Sequence, residues 1–354
     1  MTCYVGWDVG GAHLKMACTD SSGRLLSAGQ WATPLWRGLD SLAAAIENAS
    51  RHVIAGGHHP VHAVTMTGEL ADCFTDRASG VRVLADFMNS HLNGTQPVFY
   101  TGPHGFVGLD QCRDHCDYIA SANWYATASH AALQYESGLL IDIGTTTTDI
   151  IPFVNHKIGA RGYSDHERLL HSELCYTGVV RTPVMAVVNE VPWQGNSCAI
   201  MNELFATLAD VYRITGELPE NADLGDTCDG APKDRPSSLR RLARMIGLDA
   251  DNDSVFATQG GPETAAWISS QHLQLISKHA EKVAAHLALL TGGNSDSVIV
   301  GAGCGRFLVS KIANALQFTY VDYAEMVDCP VDIQCIVADC AAAVAVAQLK
   351  RMAD

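Results

Sequence analysis

Two stretches of this chain repeat one pattern: VGWDVGGAHLKMA from Val5 and LLIDIGTTTTDII from Leu139. Aligning Asp8 with Asp142 places Gly10 on Gly144 and Lys15 on Asp149. Each stretch reads as apolar strand, aspartate, apolar residue, glycine, small polar turn and second strand. That is a β-hairpin signal with its turn residues at matched places. The repeat predicts two domains of similar topology, each opening with such a hairpin. A length of 354 residues suffices for two cores. The expected units are residues 1–136 and 137–354, with the boundary near 134–138.

The turns carry the chemistry. Small residues at 10–12 and 144–146 let backbone N–H groups approach an oxyanion closely. Gly10, Gly11, Gly144, Thr145, Thr146 and Thr147 are therefore expected to bind phosphate. If Thr145–Thr148 are strand-like they alternate in direction, and about two hydroxyls face one ligand. Asp8 and Asp142 end their strands and are suited to hold Mg²⁺ through water, or to orient a nucleophile. Two carboxylates facing one anion site repel unless a cation lies between them. Lys15, on the returning strand, can reach back to the phosphate. The bland alternative is two ordinary hairpins whose polar residues only satisfy turns. The matched Asp-x-Gly in both stretches argues against it.

A third glycine turn lies in VIVGAGCGRFL. It reads as a buried strand over Val298–Val300, a turn from Gly301 to Gly305, and a helix from about Arg306. Helix N-termini attract anions, which adds Gly301 and Gly303 to the candidate phosphate ligands. A dinucleotide fingerprint would need glycine where Arg306 stands, although Asp322 is spaced for a ribose. The turn is also too late in the chain to open a Rossmann domain.

A formal net charge of -15 excludes a broad nucleic-acid surface, which needs clustered Lys and Arg. The N-terminus lacks a signal-peptide pattern, and no run approaches the ~18 apolar residues of a membrane span. A cytoplasmic protein with reduced thiols is expected from its 12 scattered cysteines. In CRDHC, the spacing of Cys112, His115 and Cys116 suits a surface turn rather than a zinc site.

The order of two phosphate hairpins, then a glycine turn and helix, resembles the acetate and sugar kinase, Hsp70 and actin superfamily. This implies two ribonuclease-H-like α/β domains around a cleft. Within that superfamily DIGTTTTDI is similar to the hydantoinase/oxoprolinase hairpin, with Thr145 in place of a second glycine. VTMTGELADCF, SANWYATA, YTGVVRTPV, ADVYRITGEL and RRLARMIGLD resemble the tetrahydromethanopterin-linked C1-transfer protein family. That resemblance covers nearly the full chain. It implies an aryl-ether synthase of methanofuran biosynthesis, or of a bacterial analogue used in formaldehyde oxidation. A furanmethanamine methyl diphosphate would meet the phenol of a tyramine or tyrosine derivative, typically γ-glutamylated, and release diphosphate. Mg²⁺ is the implied cofactor. ATP is allowed but not required, and a homodimer is allowed.

Other residues join the candidate site. Glu69 follows a strand-like run and reads as general base, as a metal contact, or as a helix N-terminal carboxylate. Arg181 stands among apolar residues and needs an anion or an internal partner. Asn123 is a substrate contact or a helix cap. His58 and His59 are given no catalytic role. The 215–238 segment is an irregular insertion leading into an arginine-rich helix, either an anion-attracting knot or a solvated face. ADCAAAVAVAQLKRM reads as a buried alanine-rich helix against the sheet or the partner domain. The competing functions are an ATP-dependent small-molecule kinase, a hydantoinase-like ATPase, and a non-enzymatic actin-like nucleotide switch.

Overall fold

The computed structural model describes residues 2–53, 59–92, 96–251, 254–293 and 296–354. His58 lies outside the described residues, as does the side chain of His59. The first hairpin is β1 (Thr2–Val9) and β2 (His13–Asp20), and its register sets Asp8 opposite Lys15. β1 is buried over nearly its whole length because it is central. β2 pairs antiparallel on one side, and β4 (His59–Met66) pairs parallel on the other. A strand covered on both faces tolerates such a run without alternation. With β3 (Leu25–Ala32), β5 (Val98–Tyr100) and β6 (Phe106–Val107) the sheet order is β3-β2-β1-β4-β5-β6.

The second sheet follows the same plan. β7 (Ser137–Ile143) and β8 (Thr148–Val154) form an antiparallel hairpin with Asp142 opposite Asp149. The short β9 (Lys157–Ile158) and β10 (Leu174–Cys175) both pair with β8. β11 (Glu190–Trp193) and β12 (Asn196–Ala199) make a separate ribbon. β13 (Val298–Ala302) runs parallel to β7, and β14 (Thr319–Asp322) parallel to β13. In each sheet the hairpin's first strand therefore lies between an antiparallel partner and a parallel strand. The repeat read in the sequence is present in the strand order.

The helix Ala341–Ala353 has the expected buried alanine face, and it packs on β1 and on the helix Asn123–Gln134. The chain's last helix thus closes over the first sheet. One core cluster joins Ala17 and Leu25 of that sheet to Leu140 and Val300 of the second. Residues 136 and 137 separate the two sheets but not all of the helices. Among the described residues no single helix is long and apolar enough to cross a membrane.

Two surface segments gain detail. Cys112 and Cys116 are buried, and the Cys116 thiol donates to the Cys112 carbonyl at 3.2 Å. CRDHC is a turn as expected, with Arg113 and Asp114 exposed, but its two thiols point inward and burial raises both their pKa values. The arginine-rich helix Arg235–Arg244 is neither an open anion site nor a plain solvated face. Arg241 is fully buried and bonds Asp210 and, at 3.0 Å, Asp229 of the preceding loop. Arg244 also bonds Asp229, and Arg213 bonds Asp223 at 2.6 Å. The insertion supplies its own counter-charges.

Candidate active site between the two hairpins

The two turns close in the same way. The N–H of Gly10 donates to the His13 carbonyl, and that of Gly144 to the Thr147 carbonyl, both at 2.9 Å. A second segment then backs each turn. Leu35 and Thr33 N–H groups donate to the carbonyls of Gly11 and Ala12 at 3.0 and 2.8 Å. Val179 donates to Gly144, while Val180 and Arg181 donate to Thr145. These bonds engage the carbonyls from behind. Among the described residues no protein acceptor takes the N–H groups of Gly11, Ala12, Thr145 or Thr146. All four residues line one cleft of about 530 Å³. Free amides converging on a cleft from two turns form an anion cradle. Gly10 and Gly144 are not among its donors, since their N–H groups are used within the turns.

Gly178, which the sequence reading passed over, makes this backing fit. A Cβ there would lie 2.5 Å from both the Gly144 oxygen and the Thr146 nitrogen. Gly178→Ala is expected to push the turn into the cleft and weaken pyrophosphate binding by about tenfold, the scale of one overpacked methyl. Calorimetric titration with pyrophosphate measures this, and unchanged affinity would place the anion elsewhere.

Lys15 lies in the cleft with Asp8 and Asp142. Among the described residues its ammonium makes no hydrogen bond and no ion pair within 4.0 Å. Burial disfavours its charge, but the fields of Asp8 and Asp142 outweigh that and raise its pKa. The protein therefore supplies its own cation near the two carboxylates, a role that sequence reasoning left to a metal alone. Burial raises Asp8, against the opposing effect of Lys15, and pushes Asp142 up to about 7. His13 is pushed down to about 4 by burial and by Lys15, Arg181 and Lys233, so it is neutral at pH 7.

The Asp142 shift fixes a pH effect. Its folded pKa lies above its unfolded value of 3.8, so ionisation costs stability as pH rises from about 4 to about 7. Asp142→Asn removes that cost. The ligand-free variant is expected to melt above wild type at pH 7.5, with the gain shrinking towards pH 4. Thermal scans across that range test it, and a gain independent of pH would refute the assignment.

Thr145 and Thr146 lie in a bend, not in a strand, so they do not alternate as expected. Their hydroxyls are 3.5 Å apart, and Arg181 reaches Thr146 at the same distance. Thr147 also lines the cleft, while Thr148 is buried and donates to the Thr177 carbonyl at 2.7 Å. Arg181 is exposed rather than apolar-packed, with its guanidinium 4.9 Å over the Trp36 ring. That pair, with Ala12 and His13, is shared with a second cavity of about 540 Å³. Asn123 lines the cleft, and its side chain also accepts from the Trp124 N–H at 2.8 Å.

The glycine turn departs from expectation. Gly301 lies within β13, where a Cβ would meet the Tyr320 ring. Gly303, at φ +78°, sits behind Asp142, with 2.4 Å between its hypothetical Cβ and Asp142 Oδ1. Neither lines the cleft. Arg306 bonds Asp322 at 3.1 Å, Asp339 at 2.5 Å and the Gly303 carbonyl at 3.1 Å, so Asp322 is engaged.

A charged network closes the other end. Buried Arg168 pairs with Asp149 and, at 2.9 Å, with Asp165, and lies 4.6 Å over the Trp124 ring. Arg77 also pairs with Asp165, at 2.5 Å. Glu69 is 1% exposed and sits behind Ser121, whose hydroxyl donates to its Oε1 at 2.8 Å. Glu69 lies in the one-turn 3-10 helix Gly68–Leu70, and Ser121 engages its carboxylate. Ser121, Arg168 and Asp165 line the cleft and were missed. The capping box at Ser164 and Glu167 marks the short helix that carries Arg168 and Asp165, but not their link to Asp149 and Arg77.

Two α/β sheets of one topology, with hairpin turns facing a shared cleft, define the actin, Hsp70 and sugar-kinase superfamily. Within it the chain belongs to the hydantoinase/oxoprolinase family, whose model matches residues 61–344. The chain is 30% identical over 303 residues to the (4-{4-[2-(gamma-L-glutamylamino)ethyl]phenoxymethyl}furan-2-yl)methanamine synthase of Methanocaldococcus jannaschii, covering 84% of this chain and 86% of that one. It is 35% identical over 116 residues to the enzyme of the same name from Methanococcus vannielii, covering 33% of this chain and 52% of that one. A ROK family glucokinase from Streptomyces griseus is 16% identical, covers 98% of each chain and has a TM-score of 0.42. A nucleotide-free acetone carboxylase is 10% identical, covers 89% of this chain and 67% of that one, and has a TM-score of 0.47.

Proposed function

We propose that this protein is an aryl-ether-forming transferase. It joins a furanmethanamine methyl diphosphate to the phenol oxygen of a tyramine or tyrosine, free or γ-glutamylated, and releases diphosphate. The product belongs to methanofuran, or an analogue, in tetrahydromethanopterin-linked C1 metabolism. The observation that carries this reading is the unpaired Lys15 ammonium beside four free amides in one cleft. Such a set matches a diphosphate, which has many acceptor oxygens and needs charge neutralisation as it leaves. The relatives' names supply the furan and the phenol.

The furan ring stabilises positive charge on its exocyclic carbon, so the carbon–diphosphate bond can break ahead of ether formation. The protein then has two tasks: to bind the departing charge and to align the phenol. Amides of both turns and Lys15 serve the first. Asn123 and Arg181, at the cleft wall, are suited to substrate contact. Neutral His13 adds a hydrogen-bonding group without a further positive charge to retain the product.

The residues also fit Mg²⁺. Asp8 Oδ1 is buried without a hydrogen-bond partner. Among the described residues no group of three metal-ligating side chains exists, so Asp8 and Asp142 would hold the ion with phosphate and water. When bound, it supplies further neutralisation of the diphosphate. A nucleotide reading is less well supported. Gly301 and Gly303 stand off the cleft, and Arg306 engages the turn that would face a nucleoside.

The deciding experiment incubates the protein with furanmethanamine diphosphate and candidate phenols, with Mg²⁺ and without ATP. Mass spectrometry should find the ether, with one pyrophosphate released per ether. Phosphate release from ATP with no ether formed would favour the kinase, ATPase or switch alternatives.

A further inference from the structure

Two acidic residues of the cleft wall near Ser121 are committed to arginines. Asp149 is paired with Arg168, and Asp165 with Arg168 and Arg77. Glu69 is not ion-paired among the described residues, and its Oε2 is buried with no hydrogen-bond partner. It reaches the cleft only through Ser121, whose Oγ donates to Glu69 Oε1 at 2.8 Å and lies 3.4 Å from Asp165 Oδ2. Donation to Glu69 leaves the Ser121 lone pairs available on the cleft side. Ser121 also holds φ +52°, a left-handed conformation that costs a side-chain-bearing residue on the order of 1 kcal/mol. Glycine would adopt it without strain, so the serine carries its hydroxyl here at a cost to the backbone.

We propose that Ser121 and Glu69 form a proton relay for the acceptor hydroxyl, a role that rests on the aryl-ether reading. The phenol O–H hydrogen-bonds to Ser121 Oγ. As the phenol oxygen bonds to the furfuryl carbon and the carbon–diphosphate bond breaks, the phenol proton passes to Ser121 Oγ. The serine's own proton passes to Glu69 Oε1. Glu69 changes from carboxylate to carboxylic acid, and the departing diphosphate carries the electron pair. Ser121 is the catalytic residue that touches substrate, and Glu69 acts through it. Burial pushes Glu69 up to about 7, which suits exchange of a proton near neutral pH.

The test uses phenols of graded acidity with wild type, Ser121→Gly and Glu69→Gln. Ser121→Gly suits the left-handed backbone, and melting temperatures confirm that each variant is folded. With tyramine, a relay predicts a loss in kcat/KM of about 10²-fold or more in both variants. With a nitrophenol already ionised at the assay pH, both should lie within a few-fold of wild type. The rise of wild-type kcat/KM with pH through about 7 should be smaller in Glu69→Gln, with the remaining rise belonging to Asp142. If the variants lose the same factor with every phenol, or nothing with tyramine, the relay is wrong and the pair is structural. If wild type forms no ether from any phenol, the reaction itself is wrong and the relay falls with it.

Discussion

Lys15→Ala is expected to lower turnover by about 10²-fold or more, the scale of losing a positioned donor to a developing anion. The side chain is half-buried and faces Asp8 and Asp142 without being consumed by either. Its donors are therefore preorganised for a ligand rather than spent on structure. Pyrophosphate inhibition should weaken in parallel, while the KM for phenol changes little. The variant has a second signature. Without Lys15 nothing lowers the pKa values of Asp8 and Asp142, so both rise further. The folded state then binds more protons than the unfolded state over a wider range, and stability falls as pH rises through it. The loss in melting temperature relative to wild type should be larger at pH 8 than at pH 5. Lys15→Arg, which keeps the charge, should restore most of the stability. Unchanged turnover in folded Lys15→Ala would remove the lysine from the site.

What the sequence revealed was local. Apolar runs on either side of a glycine turn mark a hairpin within about a dozen residues. The fold then sets Asp8 opposite Lys15, and Asp142 opposite Asp149. What stayed hidden depends on contacts between distant segments. Gly178 matters only because it packs behind a turn more than thirty residues earlier. Ser121 matters because β4 delivers Glu69 behind it. Charge counting found the arginines near 240 but not their partners, Asp229 of the preceding loop and Asp210 of the helix Leu208–Thr215. A turn does join strand to helix before Arg306, but Gly301 belongs to the strand, and Gly301 and Gly303 make room for Tyr320 and Asp142 instead of a ligand. A glycine in sequence marks close approach of something, and only the fold says of what.

The double variant Thr145→Val, Thr146→Val asks whether the threonine run serves the ligand. Valine preserves branching and β-propensity and deletes only the hydroxyls. Neither hydroxyl is committed to the protein frame: they lie 3.5 Å from each other, and Arg181 approaches one of them at the same distance. Thr148 is the contrast, since its hydroxyl is buried on the Thr177 carbonyl and serves the fold. A pyrophosphate in the cleft has more acceptor oxygens than the free amides can satisfy once water leaves. Two hydroxyls add donors without adding charge that would hold the product. Each lost donor should cost about 1–3 kcal/mol where its acceptor stays dry. At the lower end, two such losses weaken binding by about 30-fold. The effect should fall on pyrophosphate and on the diphosphate substrate, with little change in the phenol's KM. Thr148→Val, by comparison, should lower the melting temperature and leave pyrophosphate affinity in the surviving folded protein near wild type. If the double variant binds pyrophosphate as tightly as wild type, the threonines are turn residues and the diphosphate lies elsewhere.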